Sequence, residues 1–350
     1  MQVPVLISLS NITLVLCLPF LLVAADDGSS RAVRSCAGCH PAQAKPHPAT
    51  SMAHAMELVP ETEILKQHPD LTFKEGSYNY RIERKGDQSI YSVSDGRQTR
   101  TFPIGWAFGQ GLAGQTYVFE SNGVYYQTRV SYYTAINGLD LTLGAENIKP
   151  GNMEEALGIQ MAPQEAPQCF GCHATNAVEA KKLVTDKMIA GLQCERCHGS
   201  TENHVKGVKQ GDPKLAAMRD LKAFSTEQTS AFCGQCHRTW DEIAASGKLG
   251  ITNVRFQPYR LTNSKCYDTE DSRISCVACH DPHEEINRIP ASYDGKCQAC
   301  HAGGKPAAIA CKVATSNCIT CHMPKVEIPG SHHQFFDHEI RIAKANEYPN

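Results

Sequence analysis

The residues best suited to chemistry are cysteines and histidines set in one repeated pattern. Cys36-Ala-Gly-Cys39-His40 is the first copy. Six more follow, built on Cys169, Cys172 and His173; Cys194, Cys197 and His198; Cys233, Cys236 and His237; Cys276, Cys279 and His280; Cys297, Cys300 and His301; and Cys318, Cys321 and His322. Two thiols three residues apart lie one above the other on a helical turn, and the next residue adds an imidazole at the same end. This C-x-x-C-H spacing is the attachment site of a c-type haem. Each thiol can add to a vinyl group on one porphyrin edge, and the imidazole becomes the proximal ligand of the iron. The expected cofactor is therefore heme c, covalently attached in seven copies, with His40, His173, His198, His237, His280, His301 and His322 as proximal ligands.

Zinc is the competing reading, because paired C-x-x-C units also build ribbons and knuckles. Zinc does not require a histidine directly after every second cysteine. Seven pairs are also an odd number for four-ligand sites made from two pairs each. The haem reading is preferred.

The chain has fifteen histidines, so eight remain for the opposite faces of the irons: His47, His54, His68, His204, His283, His332, His333 and His338. A fully bis-His protein is arithmetically allowed. His283 lies three residues after His280, too near to pass around its own porphyrin, and is expected to serve a neighbouring site. The same holds for His204, six residues after His198. His332 and His338 flank Phe335-Phe336-Asp337, where a carboxylate could orient an imidazole through its second nitrogen. His68 reads as a surface residue, and His333 is adjacent to His332. The distal candidates are then His204, His283, His332, His338, His54, His47 and Met52. A His/Met haem would sit at higher potential than its bis-His neighbours. One iron left open would bind a small molecule instead.

These sites need a scaffold, and the composition says what kind. The side chains carry a net charge of −2, and haem propionates would add more negative charge, so no nucleic-acid partner is expected. Aromatic residues are scarce at 7%, so the porphyrins must supply much of the apolar interior of the cysteine-rich part. Residues 1–25 read as a secretory signal, with an apolar run from Ile12 to Ala24 ending in Val23-Ala24-Ala25. No later stretch is long enough to span a bilayer. The reading is an exported, periplasmic or extracellular protein with no membrane span after signal removal. In that compartment Cys266 and Cys311, which lie outside the motifs, are expected to form a disulfide.

The chain divides into the signal over 1–25, an N-terminal haem segment over 26–72, a β-rich insertion over 73–143, a linker with a short helix over 144–168, and a six-haem cytochrome domain over 169–350. Ala49–Leu58 has helical composition. In the insertion, Tyr78–Glu83 and Ser89–Ser94 flank Gly86-Asp87, and Gln115–Glu120 and Val124–Val130 flank Asn122-Gly123. Both read as hairpins of a small antiparallel sheet. Helices are expected over Asn176–Val184, Thr226–Phe232 and Thr239–Ala245, with Ser225 and Gln228 forming a capping box. The fold class is α+β with little regular structure: a multihaem scaffold of short helices and loops around stacked haems, plus the inserted β domain.

His198-Gly…His204, Cys276-Val-Ala-Cys279-His280-Asp281-Pro282-His283, and Cys318–His322-Met323-Pro324-Lys325 leading to His332 and Asp337-His338 carry a resemblance. They resemble the multihaem cytochromes c related to the tetrahaem cytochrome c of ammonia-oxidising bacteria (cytochrome c-554/c-prime-like). Ser51-Met52-Ala53 resembles the post-haem helix of that group, with Met where a His often stands, and Phe256-Gln-Pro-Tyr-Arg-Leu…Ser264-Lys-Cys266 resembles members of the broader family. The likeness covers the N-terminal haem segment and Cys169 to His338. The β insertion and the haem count depart from the small tetrahaem members, and the C-x-x-C-K site of the pentahaem nitrite reductases is absent. The resemblance implies electron transfer along stacked haems between redox protein partners. The alternatives are an oxidoreductase with one open haem acting on a small nitrogen or sulfur compound, and a subunit of a larger redox complex that docks through the β insertion.

Overall fold

The computed structural model describes residues 36–247, 250–302 and 311–344. Residues 1–25, expected as a secretory signal, lie outside the described residues. The fold is mixed, 34% helical and 24% strand, so it holds more regular structure than the sequence suggests. Most of the surplus is β.

Two antiparallel sheets occupy the middle of the chain. The first is a four-stranded meander of β2 (Asp70–Glu75), β3 (Tyr78–Lys85), β4 (Gln88–Ser94) and β5 (Thr99–Pro103). The second has six strands. Its path runs β1 (Met56–Leu58), β6 (Trp106–Phe108), β7 (Gln115–Ser121), β8 (Val124–Tyr133) and β10 (Gly158–Gln160), with β9 (Gly138–Leu141) also paired to β8. The two hairpin turns fall at Gly86-Asp87 and Asn122-Gly123. Asn122 and Gly123 both take positive φ, 54° and 79°, the pair that a two-residue hairpin of matching twist needs. Alternation buries Tyr80, Ile82, Tyr91, Val93, Phe102, Phe119 and Tyr126 in one core shared by both sheets. Within it, Arg129 is 1% exposed and paired with Glu75.

The second sheet reaches beyond the stretch that reads as β. Met56–Leu58 belongs to a segment of helical composition, yet it pairs with Trp106–Phe108 in register Met56 to Phe108. Before it come a 3₁₀ turn at His47–Ala49 and further turns. Gly158–Gln160, expected in a linker, pairs with Tyr126–Thr128 after the short helix Met153–Leu157. Edge pairing overrides local propensity in both places.

The cysteine-rich part is built of short helices. Thr226–His237 and Trp240–Ser246 form, each opened by a capping box, Ser225 with Gln228 and Thr239 with Glu242. The helix expected over Asn176–Val184 does not. Val178–Glu179 and Lys182–Leu183 make a minimal hairpin instead, because Ala180 and Lys181 turn the chain at φ 49° and 65°. Beyond residue 198 the buried apolar side chains among the described residues are Ile243, Val254, Tyr259, Ile319, Val326 and Ile328. Six such side chains are far too few for a conventional core over that length.

One close approach joins the segment after the first motif to the segment before the third. Gly191 packs so tightly that a Cβ there would fall 1.7 Å from the Ala53 carbonyl oxygen. Leu192 N–H then donates to the Met52 carbonyl at 2.9 Å, which holds the lead-in to the third motif beside the turn that follows the first. Only glycine permits this contact.

Candidate haem-binding centre

The seven motifs sit on short helices or helical turns that project their thiols and imidazoles together. Cys194–His198, Cys276–Cys279 and Cys318–His322 are each little more than one turn. The second, fourth and sixth motifs form the C-terminal ends of longer helices: Glu165–His173, Thr226–His237 and Asp294–His301. The seventh is secured by the sixth. Asp294 accepts from the backbone N–H groups of Asn317 and Cys318 at 2.7 and 2.8 Å, capping the Cys318–His322 helix. Those bonds hold its carboxyl below the usual carboxylate value.

Three motif imidazoles each face a second imidazole. His40 and His204 have ring centroids 6.3 Å apart, His198 and His283 6.1 Å, and His280 and His338 6.3 Å. Two imidazoles on opposite sides of one metal, with bonds of about 2 Å, place their ring centroids about 6 Å apart. The spacing therefore fits an iron between each pair and is too wide for direct ring contact. His204 stands on the Glu202–Gln210 helix and His283 just past the fifth motif.

The Nδ1 atoms of three of these imidazoles, and of the second- and seventh-motif histidines, are held by hydrogen bonds. The Nδ1 atoms of His204, His173, His322 and His338 hydrogen-bond the carbonyls of Ala216, Ala55, Arg341 and Phe336 at 2.6, 2.8, 2.9 and 3.0 Å. His283 Nδ1 lies 2.9 Å from Asp281 Oδ1. A donor engaged at Nδ1 leaves Nε2 for metal. Burial lowers the pKa of His173, His198, His237 and His280, and pushes His338 down to about 4. All five imidazoles are thus held in the neutral form that binds iron.

The thiols of different motifs also meet. Cys36 lies against Cys194, Cys172 against Cys236, Cys233 against Cys276, and Cys297 against Cys318. Cys197 neighbours Cys236, and Cys279 neighbours Cys297. No disulfide links any of them among the described residues. The contacts run from the first motif through the third, fourth, fifth, sixth and seventh, with the second joined to the fourth.

Aromatic rings wall the second motif. Phe170 meets Trp106 and Phe108 edge-on at 5.1 Å each, and Phe108 meets His173 at 5.0 Å. The six-stranded sheet therefore packs directly against the second C-x-x-C-H motif, a contact no local pattern in Trp106-Ala-Phe108 reveals.

Other candidate residues lie differently. His54 has both ring nitrogens engaged, by Glu57 Oε1 and the Pro48 carbonyl, each at 2.8 Å. His332 turns to the β module, with Nε2 2.8 Å from Asp140 Oδ2 and its ring on Tyr133. His68 lies 3.0 Å from the Tyr132 hydroxyl. His47 is buried near His283 and its Nδ1 has no hydrogen-bond partner, and the Met52 side chain is half-buried. Asp337 does not orient an imidazole; it binds Arg260 at 2.8 and 2.9 Å and Arg341 at 2.6 Å. The expected disulfide is also not made: Cys266 and Cys311 are separate, exposed thiols. Cys266 neighbours Cys297 and Cys300, whereas Cys311 is held by the backbone N–H groups of Ala314 and Val313.

Two comparisons bear on this arrangement. The family described as cytochrome c554 and c-prime matches residues 142–199, which include the second and third motifs. The multiheme cytochrome MtrA of Shewanella baltica (strain OS185) is 23% identical over 182 residues, 47% of this chain and 47% of that protein. The chain thus spans about half the length of this curated relative. No solved structure gives a significant match.

Proposed function

We propose that this chain, which is similar over residues 142–199 to the cytochrome c554 and c-prime family and over 182 residues to a multiheme cytochrome, is an exported heptahaem electron carrier serving two redox protein partners. Covalently bound heme c supplies one-electron chemistry; the chain holds, orients and spaces it. In this reading the fourteen motif cysteines tether seven haems, and His40, His173, His198, His237, His280, His301 and His322 are the proximal ligands. His204, His283 and His338 are the distal ligands of the first, third and fifth haems. The observation that carries this is the set of three imidazole pairs 6.1–6.3 Å apart.

The thiol contacts support a haem order of first, third, fourth, fifth, sixth and seventh, with the second beside the fourth. Distal ligation borrowed from another motif, as His283 would give the third haem, ties neighbouring sites into one rigid unit. The neutral state of the buried imidazoles keeps ligation intact across the physiological pH range. No helix among the described residues is long and apolar enough to cross a membrane.

A second reading rests on His54 and His332, whose ring nitrogens are drawn to carboxylates and a carbonyl. If one of them fails to reach an iron, that haem stays open, and the protein turns over a small nitrogen or sulfur compound. Electronic and EPR spectra of the purified protein, with carbon monoxide added after reduction, separate the two. The carrier reading expects low-spin iron throughout and no carbon monoxide adduct. A high-spin fraction near about one-seventh that binds carbon monoxide would replace it with the oxidoreductase reading.

A further inference from the structure

Arg196 stands where three haem-binding motifs meet. It is the middle residue of Cys194-Glu195-Arg196-Cys197-His198, and so belongs to the third motif. Its Nε donates to the Gly171 carbonyl of the second motif at 3.4 Å, and its Nη2 donates to Cys236 Sγ of the fourth at 3.7 Å. It also separates two hollows that share its side chain and Gln235 as walls. One, of about 400 Å³, is lined further by Arg219 and Phe232. The other, of about 520 Å³, is lined further by Cys172 and Arg238. No carboxylate pairs with Arg196 among the described ion pairs, whereas Arg238 beside it is paired with Glu242 at 3.7 Å. A guanidinium stays charged at every accessible pH.

We propose that Arg196 is a positioning residue that sets redox potential: its fixed positive charge raises the reduction potentials of the haems on the second and fourth motifs. The inference rests on the multihaem reading above. A ferric haem centre carries one more positive charge than a ferrous one. A half-buried cation with no ion-pair partner among the described residues therefore disfavours the oxidised form, and more strongly than in open water. The side chain acts on two haems at once because it lies between their motifs. By the thiol contacts, this is also where the second motif joins the main file, so the charge lies at the branch point.

The test is spectroelectrochemical titration of the purified holoprotein, with the electrode supplying each electron, on wild type, Arg196→Gln and Arg196→Lys. Haem content of each is first measured by mass. In Arg196→Gln, two components of the titration are expected to fall while the others hold. At a fixed potential their reduced-to-oxidised ratio drops about tenfold, which is about 59 mV for a one-electron couple. Arg196→Lys keeps the charge and should return both components most of the way. An unchanged curve, or one displaced equally at every component, overturns the inference. Should Arg196→Gln lose haem, the lysine variant decides: components that stay in place support the charge effect, and components that fall as far as tenfold refute it. Wild-type protein without bound haem would instead overturn the multihaem reading itself.

Discussion

Replacing His338 with alanine is expected to convert about one-seventh of the iron to a high-spin form that binds carbon monoxide on reduction. His338 sits 6.3 Å from His280, its Nδ1 tied to the Phe336 carbonyl and its Nε2 left for metal. Its pKa, near 4 through burial, keeps it neutral and competent. Alanine leaves a gap on that side of the fifth haem, which carbon monoxide can enter. His338→Met should keep the site low-spin and move one component of the redox titration to higher potential, since a thioether favours ferrous iron. A spectrum identical to wild type in the alanine variant would remove His338 from the ligand set.

The second large effect is on stability. Arg260 and Asp337 are 2% and 0% exposed and form a two-pronged ion pair, extended by Glu339 and Arg341. Arg260 lies on the helix Gln257–Thr262, and Asp337 directly precedes His338. Arg260→Ala leaves a buried carboxylate short of its main partner, and denaturant unfolding should show a loss of about 3–5 kcal/mol. Lysine should recover little, because one ammonium cannot reproduce the fork. Burial alone would raise the pKa of the Asp337 carboxyl, but the bonds from Arg260, the Glu339 amide and Arg341 outweigh it and hold the value low. A depressed folded-state pKa contributes stability above the unfolded value, and that contribution fades as pH falls through the folded value. The deficit of Arg260→Ala should therefore narrow in acid. A deficit that is small at neutral pH, or constant down through the carboxylate range, would show that the pair does not anchor this segment.

How much of this could be read from the chain depends on the range of the forces involved. The motif residues are local: two cysteines on one turn followed by a histidine need no tertiary context to be recognised. The hairpins at Gly86 and Asn122-Gly123 and the capping box at Ser225 are local as well, since turn and cap chemistry is written within four residues. Met56–Leu58 has helical composition, and its strand form comes from Trp106–Phe108, about fifty positions away in the sequence. The hairpin at Ala180-Lys181 carries no local signal, because neither residue ordinarily takes positive φ.

The second ring of residues around the motifs was the least legible. Asp337 was expected to orient a histidine, yet a buried arginine 77 positions away claims it. The Cys266–Cys311 bridge was inferred from compartment alone, and each thiol has different neighbours. Arg196 and the cap at Asp294 carry no signature beyond their place in or near a motif. Only a three-dimensional arrangement shows which motifs they join.

The most direct measurement is the mass of the intact, purified chain under denaturing conditions, with metal content determined on the same sample. Covalent attachment at every motif predicts the polypeptide plus seven porphyrin adducts that persist after unfolding, and seven irons per chain. A chain at its bare polypeptide mass, or one that holds zinc in place of iron, would contradict the account at its root.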